Sequence, residues 1–229
     1  MLDITIAIDG FSSTGKSTIA KQLAKELGYV YVDTGAMYRA VTFYAMHNEL
    51  ISKNNFDKDG LVSKLEDLNI NFKFNPKLGF AEVYLNGENV EKQIRTLEVS
   101  NFVSQVSTAS EVRQKLVEQQ KELGKGKGVV MDGRDIGTVV FPDAELKLFM
   151  TASAEKRAKR RFDELALRGD KVSYERVLEN VKSRDHIDST REDSPLIRAE
   201  DAIQVDNSNM TLDEQFNYIL KLAKAKILA

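Results

Sequence analysis

The stretch Gly10-Phe11-Ser12-Ser13-Thr14-Gly15-Lys16-Ser17-Thr18 constrains this chain more than any other, because it fits the pattern G-x-x-x-x-G-K-[ST]. Such a pattern recurs by chance, so its flanks decide its value. Before it, Ile4-Thr5-Ile6-Ala7-Ile8 is short, apolar and β-branched, as a strand buried in a parallel sheet should be. After it, the run from Lys16 to Leu27 puts Ile19, Ala20, Leu23, Ala24 and Leu27 on one helical face, with Gly28 as a C-terminal stop. Strand, glycine loop and helix in that order let backbone N–H groups converge on phosphate oxygens. The helix N-terminus adds a partial positive charge and Lys16 a full one. Residues 10–18 are therefore expected to bind ATP, with Ser17 as the expected Mg²⁺ ligand. A glycine turn before an ordinary helix accounts for neither flank.

Composition narrows the class of partner. The chain has 229 residues, 42% of them hydrophobic, enough for a full core in one domain with an insertion or in two small lobes. Thirty-three basic against thirty-five acidic side chains give a net charge of −2, so no global field draws the protein to nucleic acid or membrane, and neither is expected as a partner. Zero cysteines exclude disulfides and thiolate metal sites. Two isolated histidines, His47 and His186, argue against a histidine-built metal site or a Ser-His-Asp triad. With no basic leader and no long apolar run before Ile4, a cytoplasmic location is expected.

Periodicity orders the rest. Residues 28–32 read as a second strand ending in Asp33-Thr34-Gly35, and Ala36 to Glu49 as a helix. Asp57 to Leu68 reads as a further helix. Then the period changes to two: Ile70 to Phe74 alternates, residues 75–79 form a turn, Phe80 to Leu85 alternates less cleanly, and Asn86-Gly87 is a hairpin turn. This predicts a small antiparallel insertion in an α/β chain. Helices are expected over Leu97 to Ser110 and Glu111 to Leu123, followed by the glycine-rich segment 124–128. Val129-Val130-Met131 is an apolar strand closed by Asp132, where a Walker-B carboxylate would lie beside the phosphate loop. A strand over Glu145 to Met150, helices over Ala154 to Arg168 and Ser173 to Asp185, a core strand over Ala202 to Val205 and a helix over Leu212 to Leu228 complete the chain. Strands alternating with helices imply a parallel sheet covered on both faces.

Lys156-Arg157-Ala158-Lys159-Arg160-Arg161 packs five cations into six residues, and Arg157, Arg160 and Arg161 share one helical face. Alone this could be a solvated face partnered by Asp163 and Glu164. Beside a phosphate loop, a mobile arginine cluster closing over a triphosphate accounts for it better, neutralising the transferring phosphoryl and excluding water. Arg39, Arg113, Arg134, Arg184 and Arg191 lie near predicted element ends, where ligand groups gather in open α/β folds.

Five blocks carry a resemblance: the phosphate loop, residues 33–39 (Asp-Thr-Gly-Ala-Met-Tyr-Arg), Ile94-Arg95-Thr96 with Ser104-Gln105-Val106, residues 132–144 (Asp-Gly-Arg-Asp-Ile-Gly-Thr-Val-Val-Phe-Pro-Asp-Ala), and Arg184-Asp185 through Asp188 to Arg191. Together they resemble the bacterial cytidylate kinases, a branch of the nucleoside monophosphate kinase family of P-loop proteins. The resemblance implies an α/β fold with a five-stranded parallel sheet flanked by helices, a small antiparallel insertion at about 69–93 and a helical arginine lid at about 155–170. It implies a single domain over 1–229, with its core in 1–35, 97–154 and 190–229 and an acceptor-binding region over 36–96. The activity implied is phosphoryl transfer from ATP to CMP or dCMP with Mg²⁺, by a monomer.

Carried over by position, Arg39, Arg134 and Arg191 resemble the clamp on the acceptor phosphate. Ser104, Arg113 and Asp135 resemble the cytosine readers, and Arg184 and Asp188 the ribose contacts. Thr34, Tyr38 and Asp132 fall in the same acceptor-binding blocks. Lys16, Arg134, Arg157, Arg160 and Arg161 would act on the transferring phosphoryl. Phe11, Ser13-Thr14 and Ser17 depart from residues that members often carry there, which leaves Ser17 and Thr18 as alternatives for the metal contact. Two rivals stand beside this reading: a kinase of another small acceptor such as UMP, dTMP or shikimate, and a P-loop switch that hydrolyses NTP. The chain has no Asn-Lys-x-Asp guanine-reading motif, and a switch leaves the arginine cluster unexplained.

Overall fold

The computed structural model describes residues 3–77 and 79–228; of the turn expected over 75–79, Leu78 lies outside the described residues. By contact the chain divides into two compact units, one of residues 1–31 with 124–229 and one of residues 32–123.

The first unit is built on β1 (Thr5–Gly10), buried at every position, which feeds the glycine loop and α1 (Lys16–Leu27). Gly28 ends α1 in the left-handed conformation at φ 71°, its amide donating to the carbonyls of Ala24 and Lys25. The chain then enters β2 (Val30–Asp33) and α2 (Thr34–His47). Within residues 32–123 follow the short hairpin β3 (Ile51–Ser52) and β4 (Asn55–Phe56), α3 (Lys58–Ser63), the antiparallel β5 (Ile70–Asn75), β6 (Phe80–Leu85) and β7 (Glu88–Asn89), α4 (Leu97–Val106) and α5 (Ser110–Leu123). The remainder comprises β8 (Val129–Gly133), β9 (Leu146–Thr151), α6 (Ala154–Leu167), α7 (Tyr174–Thr190), β10 (Ile203–Asp206) and α8 (Leu212–Ile227).

The five-stranded parallel sheet has the order β10-β9-β1-β8-β2. β1 pairs in parallel with β8, Ile8 opposite Asp132, and with β9, Gly10 opposite Met150. The C-terminal ends of β1 and β8 therefore emerge side by side, which is where ligands bind in open α/β sheets. Ile6, Ile8, Ile19, Leu23, Val130, Leu148, Met150, Val205 and Ile219 form the core of this unit. A Thr211–Glu214 capping box starts α8. The second unit has its own core, in which Met37, Val41 and Ala45 of α2 meet Leu61, Ile70, Val83, Val103, Val112 and Leu116.

Several expectations are corrected. The helix over 57–68 is α3 followed by a separate 3₁₀ turn at Leu65–Asp67, the Ser63 hydroxyl donating back to the Gly60 carbonyl where they part. Residues 97–123, expected with the core, pack their Val103, Val106, Val112 and Leu116 into the second unit instead. α7 runs five residues beyond its expected end at Asp185, carrying Asp188 into a buried ion pair. A π-helical turn at Ile136–Val140 was not foreseen; in it the Phe141 amide donates to the Ile136 carbonyl at 2.7 Å, an i to i+5 bond.

Candidate active site

Gly10 ends β1 at φ 141°, and a Cβ there would lie 2.1 Å from the Met150 carbonyl oxygen on β9. The glycine is thus required by the neighbouring strand as well as by its own backbone angle. Beyond it the loop turns into α1, and Lys16 folds back so that Nζ donates to the carbonyls of Gly10 at 2.8 Å and Phe11 at 2.7 Å. The lysine is buried. Burial, and after it the Arg134 guanidinium, push its amine below the ordinary range; Asp132 and Asp9 oppose this, and Arg184 adds to it. One ammonium and two guanidiniums in electrostatic reach of one another are a concentration of positive charge that a polyanion would relieve.

The Ser17 hydroxyl donates to Asp132 Oδ2 at 2.9 Å, and the Tyr31 hydroxyl donates to the other oxygen, Oδ1, at 2.7 Å. Thr18 is exposed. Of the two alternatives for the metal contact, only Ser17 faces Asp132, the penultimate residue of β8. Among the described residues no group of three or more acidic or histidine side chains could cage an ion. Mg²⁺ does not need one, since it is held by one or two protein oxygens with waters and substrate phosphates completing its octahedron. A hydroxyl and a carboxylate oxygen are hard donors that fit this.

Arg134 follows β8 directly, and its Nε donates to Asp188 Oδ2 of α7 at 2.8 Å. Burial would raise the Asp188 carboxyl, but Arg134, Arg184 and Arg191 outweigh it and hold the group below the usual range. Arg191 is fixed by two donations to the Ser194 carbonyl, Nε at 2.9 Å and Nη2 at 2.6 Å. Lys16, Ser17, Asp132, Arg134, Asp135, Arg184, Asp188 and Arg191 thus form one electrostatic neighbourhood in the first unit.

At its start the basic helix differs from both expected readings, a mobile arginine cluster and a solvated face. Arg157 is only 4% exposed. It forks onto both oxygens of Asp185 at 2.9 and 2.6 Å, donates to the Ser12 carbonyl at 3.2 Å and lies over the Phe11 ring at 5.2 Å. It docks the start of α6 onto the phosphate loop. Arg160 donates to Asn207 Oδ1 at 3.0 Å and to the Asn207 carbonyl at 2.9 Å, while Arg161 pairs with Glu164. The cluster therefore does have partners, among them the acid that the solvated-face reading named.

In the second unit, Asp33 caps α2 by accepting from the Ala36 amide at 2.9 Å, and its Oδ2 also accepts from Arg39 at 2.9 Å and Arg95 at 3.1 Å. Tyr38 and Thr34 are buried beside this turn's start on α2. Arg113, 2% exposed, lies over the Tyr38 ring at 5.6 Å and donates to the Ser107 carbonyl at 3.4 Å. The Ser107 hydroxyl in turn donates to the carbonyl of Ser104, one turn earlier on α4.

Sequence reasoning named Asp33, Arg95 and Asp185 only within the resembling blocks, with no role, and missed Asp9, Tyr31 and Asn207. The signal that marked Asp132, a carboxylate closing an apolar strand, also marks Asp9. Asn207 had no such signal: it is fully buried and ties Thr14 of the loop, Gln215 of α8 and Arg160 together through one side chain.

A glycine loop and lysine on a parallel sheet, with a loop hydroxyl on a strand-end carboxylate, define a P-loop nucleotide-binding protein. The sequence model of the cytidylate kinase family matches residues 6–225. A cytidylate kinase of Flavobacterium johnsoniae is 68% identical over 222 residues, 97% of this chain and 96% of that protein. One of Flavobacterium psychrophilum is 63% identical, covering 97% and 98%. The chain belongs to the cytidylate kinase family. Among solved structures, an uncharacterized protein of Eubacterium ventriosum shares the fold at 11% identity, with a TM-score of 0.50 over 98% of this chain and 99% of that one. Among the described residues no helix is long and apolar enough to cross a membrane.

Proposed function

We propose that the protein transfers the γ-phosphoryl of ATP to CMP and dCMP, giving CDP and dCDP. The observation that carries this reading is the gathering of Lys16, Arg134 and Arg184 around a phosphate loop, with Asp132 aimed at Ser17. Together with family membership, it makes a site for bringing two phosphate-bearing substrates together rather than for acid–base or nucleophilic chemistry.

In this reading the loop amides of residues 10–18 and Lys16 hold the donor phosphates. Ser17 and Asp132 would hold Mg²⁺, which would supply charge neutralisation on the donor phosphates. Arg39, Arg134 and Arg191 clamp the acceptor phosphate, Arg184 and Asp188 meet the ribose, and Ser104, Arg113 and Asp135 read the base. Thr34 and Tyr38 line the acceptor region on α2. A phosphate monoester acceptor is already anionic, so no strong base is needed. The residues align the two substrates and offset their repulsion. Arg160 and Arg161 of α6 act at the transferring group as a lid, and Arg157 serves as its fixed root. The protein works as a monomer in the cytoplasm, on small nucleotides and on neither nucleic acid nor membrane.

A coupled ADP-release assay with ATP across CMP, dCMP, UMP, dTMP and shikimate tests this. CMP and dCMP should dominate. Preference for another acceptor replaces the substrate assignment, and NTP hydrolysis that ignores every acceptor replaces the reaction itself.

A further inference from the structure

Asp9 is a buried carboxylate that none of the roles above uses. It is the penultimate residue of β1, immediately before Gly10, lies opposite Gly133 of β8 in the sheet register, and is 5% exposed. Its two oxygens are divided between two backbone amides. Oδ1 accepts from Ile136 at 2.8 Å and Oδ2 from Gly137 at 2.7 Å. These amides open the π-helical turn, whose later amides, Val139 and Val140, donate to the Asp135 carbonyl. The first amides of any helical turn lack partners within it, so an outside acceptor is needed to hold the turn's start.

The segment so held is Arg134-Asp135-Ile136-Gly137. Its first two members are the phosphate clamp and the base reader of the proposed function. They stand immediately before the two fastened amides, where a small shift of backbone swings both side chains. On the other side of Asp9, one residue away, is Gly10, whose carbonyl accepts from Lys16. Asp9 therefore joins the backbone that carries the donor-phosphate loop to the backbone that carries the acceptor-binding pair. A Cβ at Gly137 would stand in ordinary contact with Asp9 Oδ2 at 3.4 Å and more tightly against the Lys147 stem at 3.2 and 3.3 Å.

Burial makes this a costly place for a carboxylate, and an apolar residue would suit a strand interior better unless the amides needed an acceptor. The two amides are directed at different oxygens of the one carboxylate. Asparagine, the same shape, can offer only one oxygen and would turn its NH₂ toward the other N–H.

We infer that Asp9 is a positioning residue for the acceptor side of the reaction, fixing Arg134 and Asp135 through the Ile136 and Gly137 amides. The inference rests on the CMP kinase reading for its kinetic arm. Asp9→Asn should raise KM for CMP on the order of 10-fold or more, the cost of a displaced positioning group, with KM for ATP within about 2-fold of wild type. Hydrogen exchange at Ile136 and Gly137 should accelerate in Asp9→Asn without comparable change in the β1 amides. An unchanged KM for CMP in the folded variant overturns the inference, and so does an equal loss for both substrates. Wild type assayed with CMP checks the functional reading separately. If that assay fails, the exchange rates alone decide: acceleration at Ile136 and Gly137 supports the anchor and unchanged rates remove it.

Discussion

Asp9 and Asp33 occupy similar places and behave oppositely. Each is the last carboxylate of a sheet strand, each is 5% exposed, and each accepts a backbone amide at the start of a helical turn. Burial is the largest influence on both. At Asp9 it wins and pushes the carboxyl up to about 7, helped by Asp135, against the Gly137 and Ile136 amides and Lys16. At Asp33 it loses to Arg39 and Arg95, which hold the carboxyl well below the usual range. Amide dipoles can orient a buried carboxylate but do not fully replace its lost hydration, whereas two adjacent guanidiniums do. The first arrangement fixes backbone. The second fixes a pair of cationic side chains, one of which, Arg39, is assigned to the acceptor phosphate.

The largest effect should come from removing the cation that faces Asp9. Lys16→Met should lower kcat by roughly 10² to 10³ or more, because a preorganised charge at the transferring phosphoryl is lost. The fold should persist, since Nζ meets loop carbonyls rather than core. A folded variant with near-normal rate would remove Lys16 from the chemistry.

On the guanidinium side, Asp33→Asn keeps an acceptor for the Ala36 amide but takes the shared carboxylate from Arg39 and leaves Arg95 with Glu91 as its charged partner. It should cost on the order of 3 kcal/mol of stability, the low end for a broken buried pair because both arginines keep some contact with solvent. Denaturant midpoints measure this, and a loss below about 1 kcal/mol would make the pair an ordinary surface contact.

Asp135 tests what the fastened segment is for. Cytosine offers an acceptor at N3 and a donor at its amino group, and uracil offers the reverse, so a donating arginine and an accepting carboxylate match only the first. Asp135→Asn can rotate to donate, and should narrow the CMP to UMP ratio of kcat/KM by at least about 10-fold. A ratio unchanged in a folded variant would leave Asp135 as an electrostatic neighbour only.

The smallest effect separates the two carboxyls by their pH dependence. A carboxyl raised from its ordinary 3.8 to about 7 contributes stability that is fully present below pH 3.8 and lost as pH rises through about 7. A depressed carboxyl such as Asp33 contributes stability present above the ordinary range and lost as pH falls below it. Asp9→Asn should therefore flatten the decline of Tm between pH 4 and 7 and leave the acid limb intact. A decline as steep as wild type would show that another group sets it.

Much of the fold was legible because its signals are local. The alternation of β5 and β6, the apolar face of α1 and the Asn86-Gly87 turn depend on neighbours in sequence, and the structure has them where periodicity puts them. The end of α7 was not legible, because Asp185 and Asp188 are drawn on by Arg157 and Arg134 from far along the chain. The π-helical turn was hidden for the same reason: its first amides are satisfied by Asp9, more than a hundred residues earlier. In the site, the glycine loop showed itself by spacing and the segment 132–144 by resemblance. Arg157 misled because a run of cations looks alike whether it faces solvent or, as here, a bidentate partner and an aromatic ring.

If the buried cations serve transfer between two nucleotides, ADP and CDP must form together. ADP and CDP are to be quantified in the same reaction, with ATP in the presence and absence of CMP. One CDP is expected for each ADP, with only a small residual ADP release when CMP is left out; equal ADP release with and without CMP, and no CDP, would mean that water and not CMP takes the phosphoryl.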